Sequence, residues 1–210
     1  MTIALFGGSG QTGRQFLRKA LEAGHTVQAL ARTPSKIPHP QQGLTILQGD
    51  VLKAAEVRQA IKGADIVVSL FGQVKGSPPH LQTQGTRHIV QAMQQEGLQR
   101  IISLSGGGLP YPEKDQPKLA DKLIRSIMKL AVPSLLQDAA GHHQVLKQSG
   151  LNWTIVRAPR LTNKPERGQY RVGWVGVNAS TKIGRADLAA FILREVESPA
   201  FGRQMPFVSY

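Results

Sequence analysis

The densest chemical signal in this chain lies in seven residues near its amino terminus, Gly7-Gly8-Ser9-Gly10-Gln11-Thr12-Gly13, whose glycines recur as G-x-x-G-x-x-G. The run directly follows an apolar segment (residues 3–6) and directly opens a helical pattern at Gln11. In that context Gly7 permits a tight turn, Gly10 lets a diphosphate approach the backbone, and Gly13 lets helix and strand pack closely. The helix amino end then offers unpaired N–H groups and about half a positive charge to an anion. This spacing points to a dinucleotide site. The plainer alternative is an ordinary strand-to-helix turn.

The end of the second apolar run bears on which dinucleotide. A site that prefers NAD places an acid about 20 residues further on, against the ribose 2′-hydroxyl. Here the segment reads Ala31-Arg32-Thr33-Pro34-Ser35-Lys36, and Arg32 lies 19 positions beyond Gly13. A guanidinium there pairs instead with a 2′-phosphate, and charge-assisted bonds of this kind contribute about 1.5–3 kcal/mol. The expectation is therefore NADP(H) over NAD(H) by roughly ten- to a hundredfold, unless Arg32 is merely a surface arginine at a strand end. Gly49-Asp50-Val51, after the third run, fits the other end of the same ligand. Asp50 can accept from an adenine amino group while Val51 packs on the ring, and Asp50 can equally cap the helix that begins near Ala54.

Other residue types narrow the chemistry. Carbonyl reduction by a Tyr-x-x-x-Lys pair needs a lysine to lower the tyrosine pKa. None of Tyr111, Tyr170 and Tyr210 has a lysine four residues later, and Pro112 disfavours a helix through Tyr111 and Lys114. Ser105, at the end of the fifth apolar run, can hydrogen-bond a nicotinamide amide or an acceptor, or cap local backbone. His142 and His143 sit in a helical pattern and read as packed or surface residues. Without cysteine or further ligands at helical spacing, no metal site is expected. Asp138 suits the amino end of its helix. Trp153 reads as core, whereas Trp174, in an irregular stretch, either lines an acceptor site or staples a hairpin.

The elements that must position these residues alternate regularly. Apolar runs at 3–6, 27–30, 45–47, 66–70, 101–104 and 153–156 read as strands, and 11–23, 54–61, 81–95, 135–148 and 185–196 as helices. Gly24, Gly63, Gly97 and Gly150 stand where helices end. The prediction is an α/β fold: one Rossmann-like doubly wound parallel sheet with helices on both faces, spanning 1–210 as a single domain. Irregular stretches at 72–79, 106–117 and 162–179 are expected to rim the acceptor site, the first two because they follow strand ends.

Composition sets outer bounds. With no cysteine, no leader-like segment and no apolar run near the roughly 20 residues that span a bilayer, the expectation is a cytoplasmic protein without membrane contact. The formal net charge of +13 favours acidic small molecules or polyanions. Its one basic concentration, residues 114–129, carries Leu119, Leu123, Ile127 and Leu130 at amphipathic spacing. It reads as a solvated helix face, not a nucleic-acid footprint.

Taken together, Ile3-Ala4-Leu5-Phe6-Gly7, Gly10-Gln11-Thr12-Gly13, Gly49-Asp50-Val51-Leu52, Gly85-Thr86-Arg87-His88-Ile89-Val90, His143, Val145-Leu146, Ser149-Gly150-Leu151 and Asp187-Leu188 carry a family resemblance. The chain resembles the atypical short-chain dehydrogenases with NAD(P)-binding, NmrA-like folds, and within them the biliverdin IXβ and flavin reductases. The resemblance implies NADPH-dependent reduction of a planar acidic acceptor, a flavin or a linear tetrapyrrole, by a monomer. It places cofactor contacts on Gly7, Gly10, Gln11, Thr12, Gly13, Arg32, Thr33, Asp50, Val51, Leu70, Phe71, Gly72 and the segment Pro159, Arg160, Leu161. A serine that such reductases carry after the fifth strand is here Gly106, leaving Ser105 as the catalytic candidate. Arg160 replaces a histidine, and Gly108 an aromatic. Acceptor contacts are then expected from Gly106, Tyr111, Arg160, Trp174 and Lys182, with Arg171 a further cation for acidic groups. Such acceptors delocalise incoming charge and can take a proton from water, so positioning is the protein's main task. The rival reading is a non-catalytic NADP(H) sensor that answers through the loop 106–117.

Overall fold

A computed structural model describes residues 1–38, 42–74 and 76–210. Its first strand, β1 (Thr2–Phe6), buries Ile3, Ala4, Leu5 and Phe6 because both of its faces are covered. Ile3 and Leu5 join one core cluster, Ala4 and Phe6 the other, as the two-residue period of a strand requires. The first cluster is closed by α1 (Gln11–Glu22) and α6 (Arg185–Glu197) through Phe16, Leu17, Leu188 and Phe191. The second is closed by α2 (Ala54–Ile61), α3 (Leu81–Gln95) and α5 (Pro133–Gln148) through Val57, Ile89, Met93 and Leu146.

On one side of β1 lie β2 (Thr26–Ala31) and β3 (Leu44–Gln48), and on the other β4 (Ile66–Ser69), β5 (Arg100–Gly106) and β6 (Asn152–Ala158), all parallel. The order β3-β2-β1-β4-β5-β6 reverses direction between β1 and β4, which opens a crevice at the carboxyl ends of those strands. The doubly wound α/β fold is as expected. The four glycines expected at helix ends all take left-handed φ.

Four short strands went unforeseen. β7 (Arg160–Thr162) and β9 (Lys182–Gly184) pair as a separate parallel ribbon. β10 (Phe207–Ser209) runs parallel beside β6, and β8 (Arg171–Gly173) antiparallel beyond it. The stretch 162–179 is thus partly ordered, and reciprocal bonds between the Trp174 and Val177 backbones close a hairpin within it. Strands of three residues carry too little periodicity to read.

Two helical expectations also need correction. α4 (Leu119–Ala131) exists, but it is its apolar stripe that meets water, and none of its residues is buried. Asp138 sits inside α5 and caps another helix: its carboxylate accepts from the Gln82 and Thr83 amides (2.9 and 2.8 Å), at the amino end of α3, where His80 supplies no side-chain cap.

One helix turn further along α5, His142 is wholly buried and 2.8 Å from the Ser103 hydroxyl. Burial, then the neighbouring His143, push its imidazole down from 6.5 to about 3 against the pull of Asp138. The unfolded chain therefore takes up a proton below about 6.5 that the folded chain refuses until about 3. Across that window stability falls with pH by up to roughly 1.4 kcal/mol per unit from this group. Urea unfolding at pH 7 and pH 5 should show the loss, and His142→Gln should flatten the slope. An identical slope in the variant would refute the assignment.

Candidate cofactor and acceptor site

The turn between β1 and α1 is built so tightly that side chains are excluded from it. Gly7 has φ +86°, and a β-carbon there would stand 2.5 Å from the Phe71 nitrogen and 2.6 Å from the Leu70 carbonyl carbon. A β-carbon on Gly13 would run into the Gly7 carbonyl oxygen and lie 2.8 Å from the Gly8 α-carbon. The Gly10 amide closes the turn on the Gly7 carbonyl at 3.0 Å. α1 starts at Gln11 with no side-chain cap on Gly10 and no acid in its first turn, so its amino end meets no carboxylate of its own. Thr12 is buried and Gln11 exposed. A cradle of backbone atoms below an uncapped helix end fits a diphosphate.

Arg32 and Thr33 follow β2, both exposed, and Arg32 has no ion pair among the described residues. After β3, Asp50 accepts the Leu52 amide at 3.0 Å while its own amide donates to Glu56 at 2.6 Å. That bond, with a further one from Lys53, holds the Glu56 carboxyl below its usual range. Asp50 thus shapes the turn before α2, although the helix cap itself is Lys53. Val51 packs half-buried on the α3 side, and its carbonyl lies 3.0 Å from His88 Nδ1. Leu70 and Phe71 leave β4 against Gly7, and Gly72 beyond them has open space.

At the end of β5, Ser105 is 6% exposed and its hydroxyl has no partner among the described residues. Gly106 next to it borders open space, and in register with these two stand Arg157 and Ala158 of β6. A cavity of about 730 Å³ opens here, bounded by Gly106, Gly108, Pro159 and Arg160 and walled by Ile124 and Met128 of α4. That size suits a small-molecule ligand. Of the expected acceptor contacts, Gly106 and Arg160 line it. Tyr111, Trp174 and Lys182 do not: Lys182 is exposed beside Arg160 in the β7–β9 ribbon, and Tyr111 stacks edge-on against Trp174 at 5.6 Å. Burial, then Glu113, push the Tyr111 phenol above its usual range, which suits a packing residue better than a proton donor. No described residue of 72–79 borders the cavity, and residue 75 of that stretch lies outside the described residues. α4 takes the place expected of it.

Three features have no local sequence signal. Arg157, wholly buried in β6, makes a two-pronged ion pair with Asp115 (2.7 and 2.8 Å) and donates to the Leu109 and Met205 carbonyls. Asp115 also accepts the Tyr111 and Val175 amides, tying the loop 106–117 to the hairpin behind the cavity. Beside the amino end of α1, a hollow of about 230 Å³ gathers Arg14, Lys164 and Arg185. No tally of cations without nearby acids would find the last of these, since Lys164 and Arg185 each have an acid two residues on, Glu166 and Asp187.

The family model described as NAD(P)H-binding matches residues 7–199. The uncharacterized protein YwnB of Bacillus subtilis (strain 168) is 27% identical over 207 residues, covering 95% of this chain and 93% of that one. A short-chain dehydrogenase/reductase (wide type) from Veillonella parvula, solved in complex with NADP, superposes with a TM-score of 0.84 at 20% identity, over 100% of this chain and 94% of that one. ChuY of Escherichia coli O157:H7, an anaerobilin reductase, gives a TM-score of 0.80 at 21% identity, over 100% and 96%. At these identities the two solved structures speak for the fold.

Proposed function

The chain belongs to the NAD(P)H-binding family, and on that premise we propose that it is an NADPH-dependent reductase acting on a planar acidic acceptor of the flavin or linear tetrapyrrole class. The observation that carries this reading is the cavity at the carboxyl ends of β5 and β6, bordered by Gly106, Pro159 and Arg160. A dinucleotide anchored by its diphosphate at Gly7–Gly13 runs along this crevice in a doubly wound sheet. When bound, the nucleotide supplies the hydride.

The chain's own residues bind and orient. Arg32 would hold the 2′-phosphate, and the first-turn amides of α1 the diphosphate, with Arg14 and Lys164 adding positive potential nearby. Asp50 and Val51 would meet the adenine, and Leu70, Phe71, Gly72 and Leu161 the nicotinamide half. Ser105 offers a buried hydroxyl that lacks a partner among the described residues, suited to the nicotinamide amide or to the acceptor. Arg160 and Arg125 border the cavity and would pair with acceptor carboxylates or a flavin phosphate. Tyr111 and Trp174 brace the loop from behind. That ChuY, which shares this fold, is an anaerobilin reductase is in keeping with a reductase reading.

Steady-state NADPH oxidation with FMN and with biliverdin tests the reading. An acceptor-dependent rate is expected. Nucleotide binding with no turnover on any planar acceptor would overturn it in favour of a sensor. Arg32→Ala should weaken NADPH roughly ten- to a hundredfold while leaving NADH affinity unchanged. Equal discrimination in both proteins would remove Arg32 from the site.

A further inference from the structure

α4 turns its oily side to water. Leu119, Leu123, Ile127 and Leu130 share one face and are 85%, 63%, 55% and 87% exposed, a contiguous stripe of the kind that marks an interaction surface. Lys118, Lys122 and Lys129 flank it, and the helix's one acid, Asp121, is taken up by the Lys118 amide at its own amino end. A second copy laid on this stripe would bring cations against cations. An anionic bilayer surface uses both features: the stripe's aliphatic side chains enter the boundary between headgroups and chains, and lipid phosphates neutralise the flanking lysines. The formal charge of +13 over the whole chain acts in the same direction.

We propose that α4 docks this protein on anionic lipid surfaces, lying in the interface plane; among the described residues no helix is long and apolar enough to cross a membrane. This departs from the sequence expectation of no membrane contact. The opposite side of α4, through Ile124, Arg125 and Met128, walls the cavity, so docking sets the acceptor site beside the interface.

Co-sedimentation of the full chain with vesicles of phosphatidylcholine alone, or with added phosphatidylglycerol, tests the proposal independently of any reductase activity. Binding to the anionic vesicles is expected, weakening as salt rises. It should drop at least about tenfold in Leu123→Gln/Ile127→Gln/Leu130→Gln and also in Lys118→Gln/Lys129→Gln. NADPH affinity, measured in parallel, reports that the variants remain folded. No partition onto anionic vesicles would overturn the proposal. So would a concentration-dependent dimer that the leucine variant dissolves, because the stripe would then belong to a second copy.

Discussion

Gly13→Ala is expected to lower NADPH affinity at least about a hundredfold and to destabilise the fold. The new methyl group would collide with the Gly7 carbonyl oxygen and approach the Gly8 α-carbon to 2.8 Å. Both are backbone atoms within the turn, so neither can swing aside as a flexible side chain would. Either the turn opens or α1 tilts away from β1, and α1 is held by buried Phe16, Leu17 and Ala20. Overpacking of this kind costs about 1–3 kcal/mol. Losing two charge-assisted amide bonds to a diphosphate, at about 1.5 kcal/mol or more each, accounts for the hundredfold. Gly10→Ala makes a sharp contrast, because its β-carbon would meet only the Gly7 carbonyl oxygen at 3.3 Å. It should keep most of the stability and still lose affinity, since the methyl group occupies ligand space. Calorimetric titration with NADPH beside thermal melting separates the two effects. Unaltered affinity in Gly13→Ala would remove this turn from the binding site.

Asp115→Ala is expected to cost about 3–5 kcal/mol, because it strands the wholly buried Arg157 cation without its carboxylate. For a chain of this size that is a fall in Tm of about 6–20 °C. The remaining bonds from Arg157 to Leu109 and Met205 are to neutral carbonyls and do not balance the charge. Replacing both partners, as Asp115→Leu with Arg157→Met, should recover much of the stability, since an apolar pair of similar bulk avoids the stranded charge. The double variant should nevertheless lose acceptor affinity while keeping NADPH affinity. Its loop 106–117 no longer has the carboxylate that gathers the Tyr111 and Val175 amides. If Asp115→Ala melts within a degree or two of the parent protein, the pair does not hold the cavity wall.

What was legible in the sequence was local. A strand of four to six apolar residues or a helix of twelve announces itself by its own period, and Gly7, Gly10 and Gly13 by their spacing between β1 and α1. The six-strand parallel core, the helices that cover it, the glycines that end them and the position of Arg32 could therefore be read without coordinates. Tertiary structure alone decided matters between distant residues. Arg157 reads as a polar interruption at the end of an apolar run until Asp115, 42 residues earlier, is folded against it. Asp138 finds its amides on another helix, and three-residue β10 and β8 become strands only when β10 pairs with β6 and β8 with β10. Periodicity reveals that α4 has an apolar stripe but not which way it faces, because the direction depends on what the rest of the chain brings to cover it.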